Sequence, residues 1–297
     1  MTMPNFIIIG AAKSGTTSLY HYLKQHPQIY MSSKKETEFF AFEGEQLDFR
    51  GPGDMPRSSI TQLEDYKVQF QSISNELAIG EASPLYMYSP RASERIRHYI
   101  PDAKLIAILR DPIERAYSQF LMFVRDQREP LLDFAKALQE EETRISSNWA
   151  WGWHYVQVGY YYVQLRRYFD MFDRNQIKVY LYEELNNSPV RVVKDIFDFV
   201  GVDRTFVPDV SVKANISGMP KNYFLHGFLR KPNLIKDIFK PFFSAKFRKN
   251  IAQSIQSQNL LKPQITPEIR KEMLPIFRED ILMLQDLIQR DLSKWLE

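Results

Sequence analysis

The chain has 297 residues, 44% of them hydrophobic and 14% aromatic, which is enough apolar material for a sizeable core and leaves one large domain or two open on length alone. Its formal net charge of +3 is too near balance for a protein that coats nucleic acid, although a small basic excess suits an anionic ligand. There is no cysteine, which excludes a disulfide framework, a thiol nucleophile and a thiolate metal site.

Along the chain, apolar β-rich runs alternate with stretches of helical period, the pattern of a parallel sheet covered by helices. Strands are predicted at 6–9 (FIII), 77–80 (LAIG), 104–109 (KLIAIL) and 177–182 (IKVYLY). Each is apolar at odd and even positions alike, as a strand buried on both faces must be. Helices are predicted at 16–25, 91–99, 112–127, 159–173 and 189–200. Residues 41–60 hold three glycines and two prolines and read as a loop over one sheet edge. The span 148–162 gathers three tryptophans and His154, read mainly as core, with an aromatic wall for a ligand and an acid–base role for His154 as alternatives.

Residues 223–249 are aromatic and basic without clean period. They read as a helical subdomain with its Phe residues inward under a lysine rim, with a membrane-surface patch as the alternative. The last segment, from Glu268 to Leu296, reads as a helix pair that closes the fold. The apolar run before Gly10 is short and has no basic residues ahead of it, and no later run reaches the roughly 18 residues of a membrane span. A soluble, cytoplasmic protein is expected. The architecture expected is α/β: a single domain over 1–297, with a P-loop-like three-layer fold, a central parallel sheet flanked by helices and a C-terminal helical extension, residues 223–297 being mainly helical.

The stretch FIIIGAAKSGTTSL, Phe6 to Leu19, gives the first functional signal. A nucleotide P-loop reads G-x-x-x-x-G-K-[ST], its lysine reaching the β- and γ-phosphates. Here Gly10 and Gly15 keep the spacing, but Thr16 follows the second glycine and the nearby lysine is Lys13, inside the loop. Strand, turn and helix in that order place the amides of residues 13–18 at a helix N-terminus, which favours an anion. With its lysine displaced and no acidic cluster for Mg²⁺, the loop suits a short anionic group held without metal.

Taken together with SSKKETEFF (32–40) and LIAILRDPIERAYSQF (105–120), this loop resembles the sulfotransferases that use 3′-phosphoadenosine 5′-phosphosulfate (PAPS), especially the branch with the heparan-sulfate enzymes and their bacterial relatives. The resemblance continues through 159–185, 215–222 (NISGMPKN) and 290–296 (RDLSKWL), nearly the whole chain. It implies that Lys13, Ser14, Gly15, Thr16, Thr17 and Ser18 grip the 5′-phosphosulfate, with Lys13 neutralising charge on the departing phosphate. It also implies that Arg110 and Ser118, eight residues on, hold the 3′-phosphate. Glu36 maps to the base that takes the acceptor hydroxyl proton. Gly218 and Lys221 are candidate 3′-phosphate ligands, with a plain turn as the equal alternative. No metal is expected, and adenosine 3′,5′-bisphosphate is the product.

Two departures bear on the acceptor. Glu38 stands where the glycosaminoglycan enzymes typically carry histidine, and Ala82 where they tend to carry lysine, which disfavours a heavily sulfated polysaccharide. The implied acceptor is a hydroxyl on a carbohydrate, a lipid or a carrier-bound polyketide, with no nucleic-acid partner. The rival readings are a P-loop small-molecule kinase using ATP with Mg²⁺ on Asp111, and a non-catalytic nucleotide-binding protein.

Overall fold

The structure is a computed structural model that describes residues 3–52, 58–211, 219–220, 260–261 and 264–297. Its centre is a parallel sheet of β1 (Phe6–Gly10), β2 (Ile29–Met31), β3 (Ala78–Ala82), β4 (Lys104–Leu109) and β5 (Ile177–Leu181), in the order β2-β3-β1-β4-β5. In register, Phe6 pairs with Gly80 on one side and Lys104 on the other. The four strands predicted from sequence are present. β2 was not predicted, because three residues carry no legible period.

The apolar runs divide by parity, as expected for a doubly covered sheet. Ile7 and Ile9 of β1 and Leu105, Ala107 and Leu109 of β4 join one buried cluster, while Phe6, Ile8, Ile106 and Ile108 join the other. The second face is covered by α1 (Thr16–Leu23) through Leu19 and Leu23 and by α11 (Pro189–Val200) through Val193 and Ile196. The first face packs against α5 (Ala92–Tyr99), α6 (Pro112–Arg125), α9 (Tyr161–Met171) and the long C-terminal α12 (Pro267–Ile288). Shorter helices complete the shell: α2 (Phe39–Phe42), α3 (Leu63–Val68), α4 (Leu85–Tyr88), α7 (Phe134–Gln139), α8 (Glu141–Ser146) and α10 (Tyr182–Asn187). This is the three-layer α/β architecture expected from the sequence. Gly80 is fixed by packing, since a Cβ there would lie 2.1 Å from Phe6 Cζ.

Two expectations change. The predicted helix pair at the end is a single helix, α12, followed by a 3-10 turn over Ser293–Leu296. α12 runs through Pro275 at the loss of one backbone hydrogen bond. Part of the 41–60 loop is helical, because Phe39–Phe42 buries all four residues in α2. α9 opens without a side-chain cap of its own; instead the Asp280 carboxylate of α12 accepts the Tyr162 amide at 3.1 and 3.2 Å. Residues 223–249 lie outside the described residues. Among the described residues, no helix is long and apolar enough to cross a membrane.

Candidate active site

In a parallel sheet the strands' carboxyl ends open onto one crevice, and three walls meet there. The first is the turn between β1 and α1. Gly15 adopts φ 92°, which favours glycine, and a Cβ would lie 3.0 Å from Leu185. α1 opens without a side-chain cap, and the positive end of its dipole favours an anion there. Lys13 is held at φ 68°, and its Nζ donates to the Met122 sulfur at 3.1 Å, a weak acceptor. Burial first, then the neighbouring Arg125 and Arg110 charges, lower its pKa from 10.5 to about 8. An anion bound here therefore meets a cation poorly compensated by water.

The second wall is the β4–α6 junction. Arg110 leaves the strand, pairs with Glu114 at 3.0 Å and lies over the Tyr182 ring at 5.0 Å. Asp111 caps α6: one oxygen accepts the Ile113 and Glu114 amides at 2.9 and 3.1 Å, and the other accepts Arg270 at 2.9 Å. Both oxygens are thus committed, so Asp111 is ill suited to the Mg²⁺ role that the kinase reading requires. Ser118 lies on α6, about two turns in.

The third wall, residues 32–38, hangs on the end of β3. The Glu36 amide donates to Ala82 O at 2.9 Å and the Glu38 amide to Ser83 Oγ at 3.0 Å. Glu36 and Glu38 both take left-handed backbone, φ 63° and 57°, at about 1 kcal/mol or more each for residues with a Cβ. Glu36 is half-exposed and ion-paired with Lys35. Glu38 is buried, and burial pushes its pKa up to about 7, against the opposing hydrogen bond from the Ser59 hydroxyl. Behind it Glu81 is fully buried and also pushed up by burial, its oxygens accepting Thr37 at 2.9 Å, Ser83 at 2.5 Å and Tyr66 at 3.3 Å.

Lys13, Gly15, Thr16, Thr17, Ser18, Glu36, Arg110 and Ser118 all line one cavity of about 860 Å³. This is within the usual size range of small-molecule sites. Ser14 does not line it: its side chain is fully buried. Gly218 and Lys221 lie outside the described residues; the intervening Met219–Pro220 strand packs beside α6. His154 is away from the cavity, with Nδ1 on the Tyr88 hydroxyl at 2.8 Å and Nε2 on Trp149 O at 3.2 Å. Burial lowers its pKa to about 4, so it is a neutral structural histidine. Trp153 is core, whereas Trp151 lines the cavity. Tyr182 and Met122 were not singled out from the sequence; Tyr182's position just after a parallel strand was the available signal.

The model of the family described as "Sulfotransferase family" matches residues 4–206. A crystal structure of a sulfotransferase from Alicyclobacillus acidocaldarius is 36% identical, superposes with a TM-score of 0.79, and the match covers 100% of both chains. Membrane-associated sulfotransferase kil1 of Dictyostelium discoideum is 36% identical over 138 residues, 46% of this chain and 27% of the relative. Bifunctional heparan sulfate N-deacetylase/N-sulfotransferase 4 of Mus musculus is 28% identical over 206 residues, 67% of this chain and 22% of the relative. The matches thus span about a quarter of the length of these two curated relatives.

Proposed function

The chain belongs to the sulfotransferase family, and from that premise we propose that it moves a sulfuryl group from PAPS to an acceptor hydroxyl, releasing adenosine 3′,5′-bisphosphate. The observation that carries this reading is the convergence of a desolvated Lys13, the Glu36 carboxylate, Arg110 and Ser118 on one cavity. The acceptor oxygen attacks sulfur in line as the bond from sulfur to the bridging phosphate oxygen breaks. Glu36 takes the acceptor proton, which becomes acidic only as the new O–S bond forms, so an ordinary carboxylate is a sufficient base. Lys13 and the first-turn amides of α1 meet the charge that develops on the departing phosphate. Arg110 and Ser118 hold the 3′-phosphate and thereby distinguish PAPS from ATP.

The acceptor class we infer is a hydroxyl on a weakly charged carbohydrate, a lipid or a carrier-bound chain. Glu38, which lines the cavity beside Glu36, disfavours a polyanion, whereas Ala82 is fully buried in β3 and does not line the cavity.

The test is calorimetric titration of adenosine 3′,5′-bisphosphate without metal, beside ADP with Mg²⁺, on the wild type and on Arg110→Ala. Tight metal-free binding that collapses in the variant is expected. Binding of ADP with Mg²⁺ alone, and none of the bisphosphate, would overturn the reading and favour a kinase.

A further inference from the structure

We propose that Arg270 is a positioning residue for recognition of the 3′-phosphate, acting through Asp111 on Arg110, and that Arg290 braces the other side of the same guanidinium. The proposal rests on the reading of Arg110 as a 3′-phosphate ligand. Both bracing arginines lie beyond the 4–206 span matched by the family.

Arg110 is weakly held by its own contacts. Its ion pair with Glu114 joins a partly exposed i,i+4 pair, a type that holds a side chain only weakly. Among the described residues it also lies over the face of Tyr182. Where the guanidinium points is therefore set by the two backbone junctions that flank it, β4 into α6 and β5 into α10.

Each junction is clamped by one of these arginines. At the first, Asp111 closes the opening turn of α6 with one oxygen while the second accepts Arg270 at 2.9 Å. The Asp111 carboxylate is largely buried, so this charge-assisted bond is stronger than a surface pair. Arg270 is itself tied down, donating to backbone oxygens of Trp295 at 3.3 Å and Glu297 at 2.6 Å. At the second junction, Glu184 accepts the Leu181 amide at 2.9 Å, fixing the step from β5 into α10. Arg290 donates to Glu184 at 2.6 Å and to Val179 O at 3.4 Å. Tyr182, whose ring lies under Arg110, begins that turn. The residues leading into α12, Gln264 and Ile265, also line the cavity. α12 and the turn after it thus hold the walls on both sides of Arg110.

The test compares wild type, Arg270→Gln, Arg270→Lys and Arg290→Gln, alone and combined with Arg110→Ala. Affinities are measured for adenosine 3′,5′-bisphosphate and for adenosine 5′-phosphosulfate, which lacks the 3′-phosphate. Arg270→Gln is expected to weaken the bisphosphate about tenfold while leaving adenosine 5′-phosphosulfate within about twofold. Arg270→Lys should recover part of the loss, and Arg270→Gln should add little once Arg110 is already alanine. In turnover the expected signature is a raised KM for PAPS with kcat preserved.

Equal weakening of both nucleotides, or a full additive loss in the Arg110→Ala background, would show that Arg270 only supports the fold and would overturn the proposal. Should Arg270→Gln fail to fold, as judged by thermal melting, Arg290→Gln carries the same comparison with the same outcomes. If wild type binds the bisphosphate and Arg110→Ala abolishes it while both brace variants bind normally, the brace is wrong and the functional reading stands. If wild type binds no bisphosphate, the functional reading itself falls and takes the brace with it.

Discussion

The anion walls and the acid wall of the cavity are built in different ways. Lys13, Thr16 and Arg110 sit where strands end and helices begin, and Ser118 lies about two turns into α6, so their placement follows from the strand-to-helix junctions. Glu36 and Glu38 sit on a segment with left-handed backbone, hung from β3 by the Ala82 carbonyl and the Ser83 hydroxyl. The anion walls carry cations whose charge is already poorly solvated. The acid wall keeps one carboxylate half-exposed beside a lysine and buries the next. On the proposed reading, the donor is met by strand-to-helix junctions and the acceptor side by a segment held through side-chain contacts.

The sharpest way to break this contrast is to neutralise one residue on each side. Glu36→Gln is expected to lower turnover by about 10²–10⁴-fold with bisphosphate affinity unchanged, checked by initial rates beside titration. A Gln variant that retains its rate would remove Glu36 as the base. On the anion side, Lys13→Met is expected to lower kcat by about 10²–10³-fold and to weaken the bisphosphate as well. An unchanged affinity in that variant would show that Lys13 does not meet the 5′-phosphate.

Acidity gives a finer probe. Lys13 is lowered from 10.5 to about 8 in the free protein, and a bound anion pulls its proton back on. Affinity for the bisphosphate is therefore expected to be insensitive to this group below pH 8 and to fall by up to about tenfold per pH unit between 8 and 10. The Lys13→Met variant should lose that slope. A flat wild-type profile across the same range would mean that Lys13 is not desolvated as described.

The smallest effect concerns stability. Glu38 is raised from 4.5 to about 7 by burial, so its contribution to stability is full below the unfolded pKa and is lost as pH rises through 7. Glu38→Gln, neutral throughout, is expected to stabilise the protein at pH 8 by up to about 3 kcal/mol and to flatten the loss between pH 4.5 and 7. Denaturant melts at the two pH values check it. An unaltered slope would place Glu38 ionised in a wetter site than the structure shows.

The same contrast governs what the sequence disclosed. The strands at 6–9 and 104–109 were legible because their apolar residues run through both parities, whereas Lys13, Arg110 and Ser118 were picked out by their resemblance to the family's motifs. The continuity of α12 through Pro275 was not legible, since a helix end and a proline carried inside a helix look alike without the packing around them. The inward turn of Ser14 and the burial of Glu38 depend on neighbours that no local pattern names. The pairing of Arg270 with Asp111 joins positions 159 residues apart, a distance over which sequence periodicity says nothing.

The amide of Tyr162, in the opening turn of α9, is received by Asp280, a residue on α12. α9 thus depends on a distant stretch of chain to finish its own first turn. The recognisable motif region, 4–206, is accordingly not a separable part: a graft or a minimal version cut at its edge would sever a helix from the group that completes it. The stretch that matches the family and the contacts that complete its helices have different boundaries in this protein.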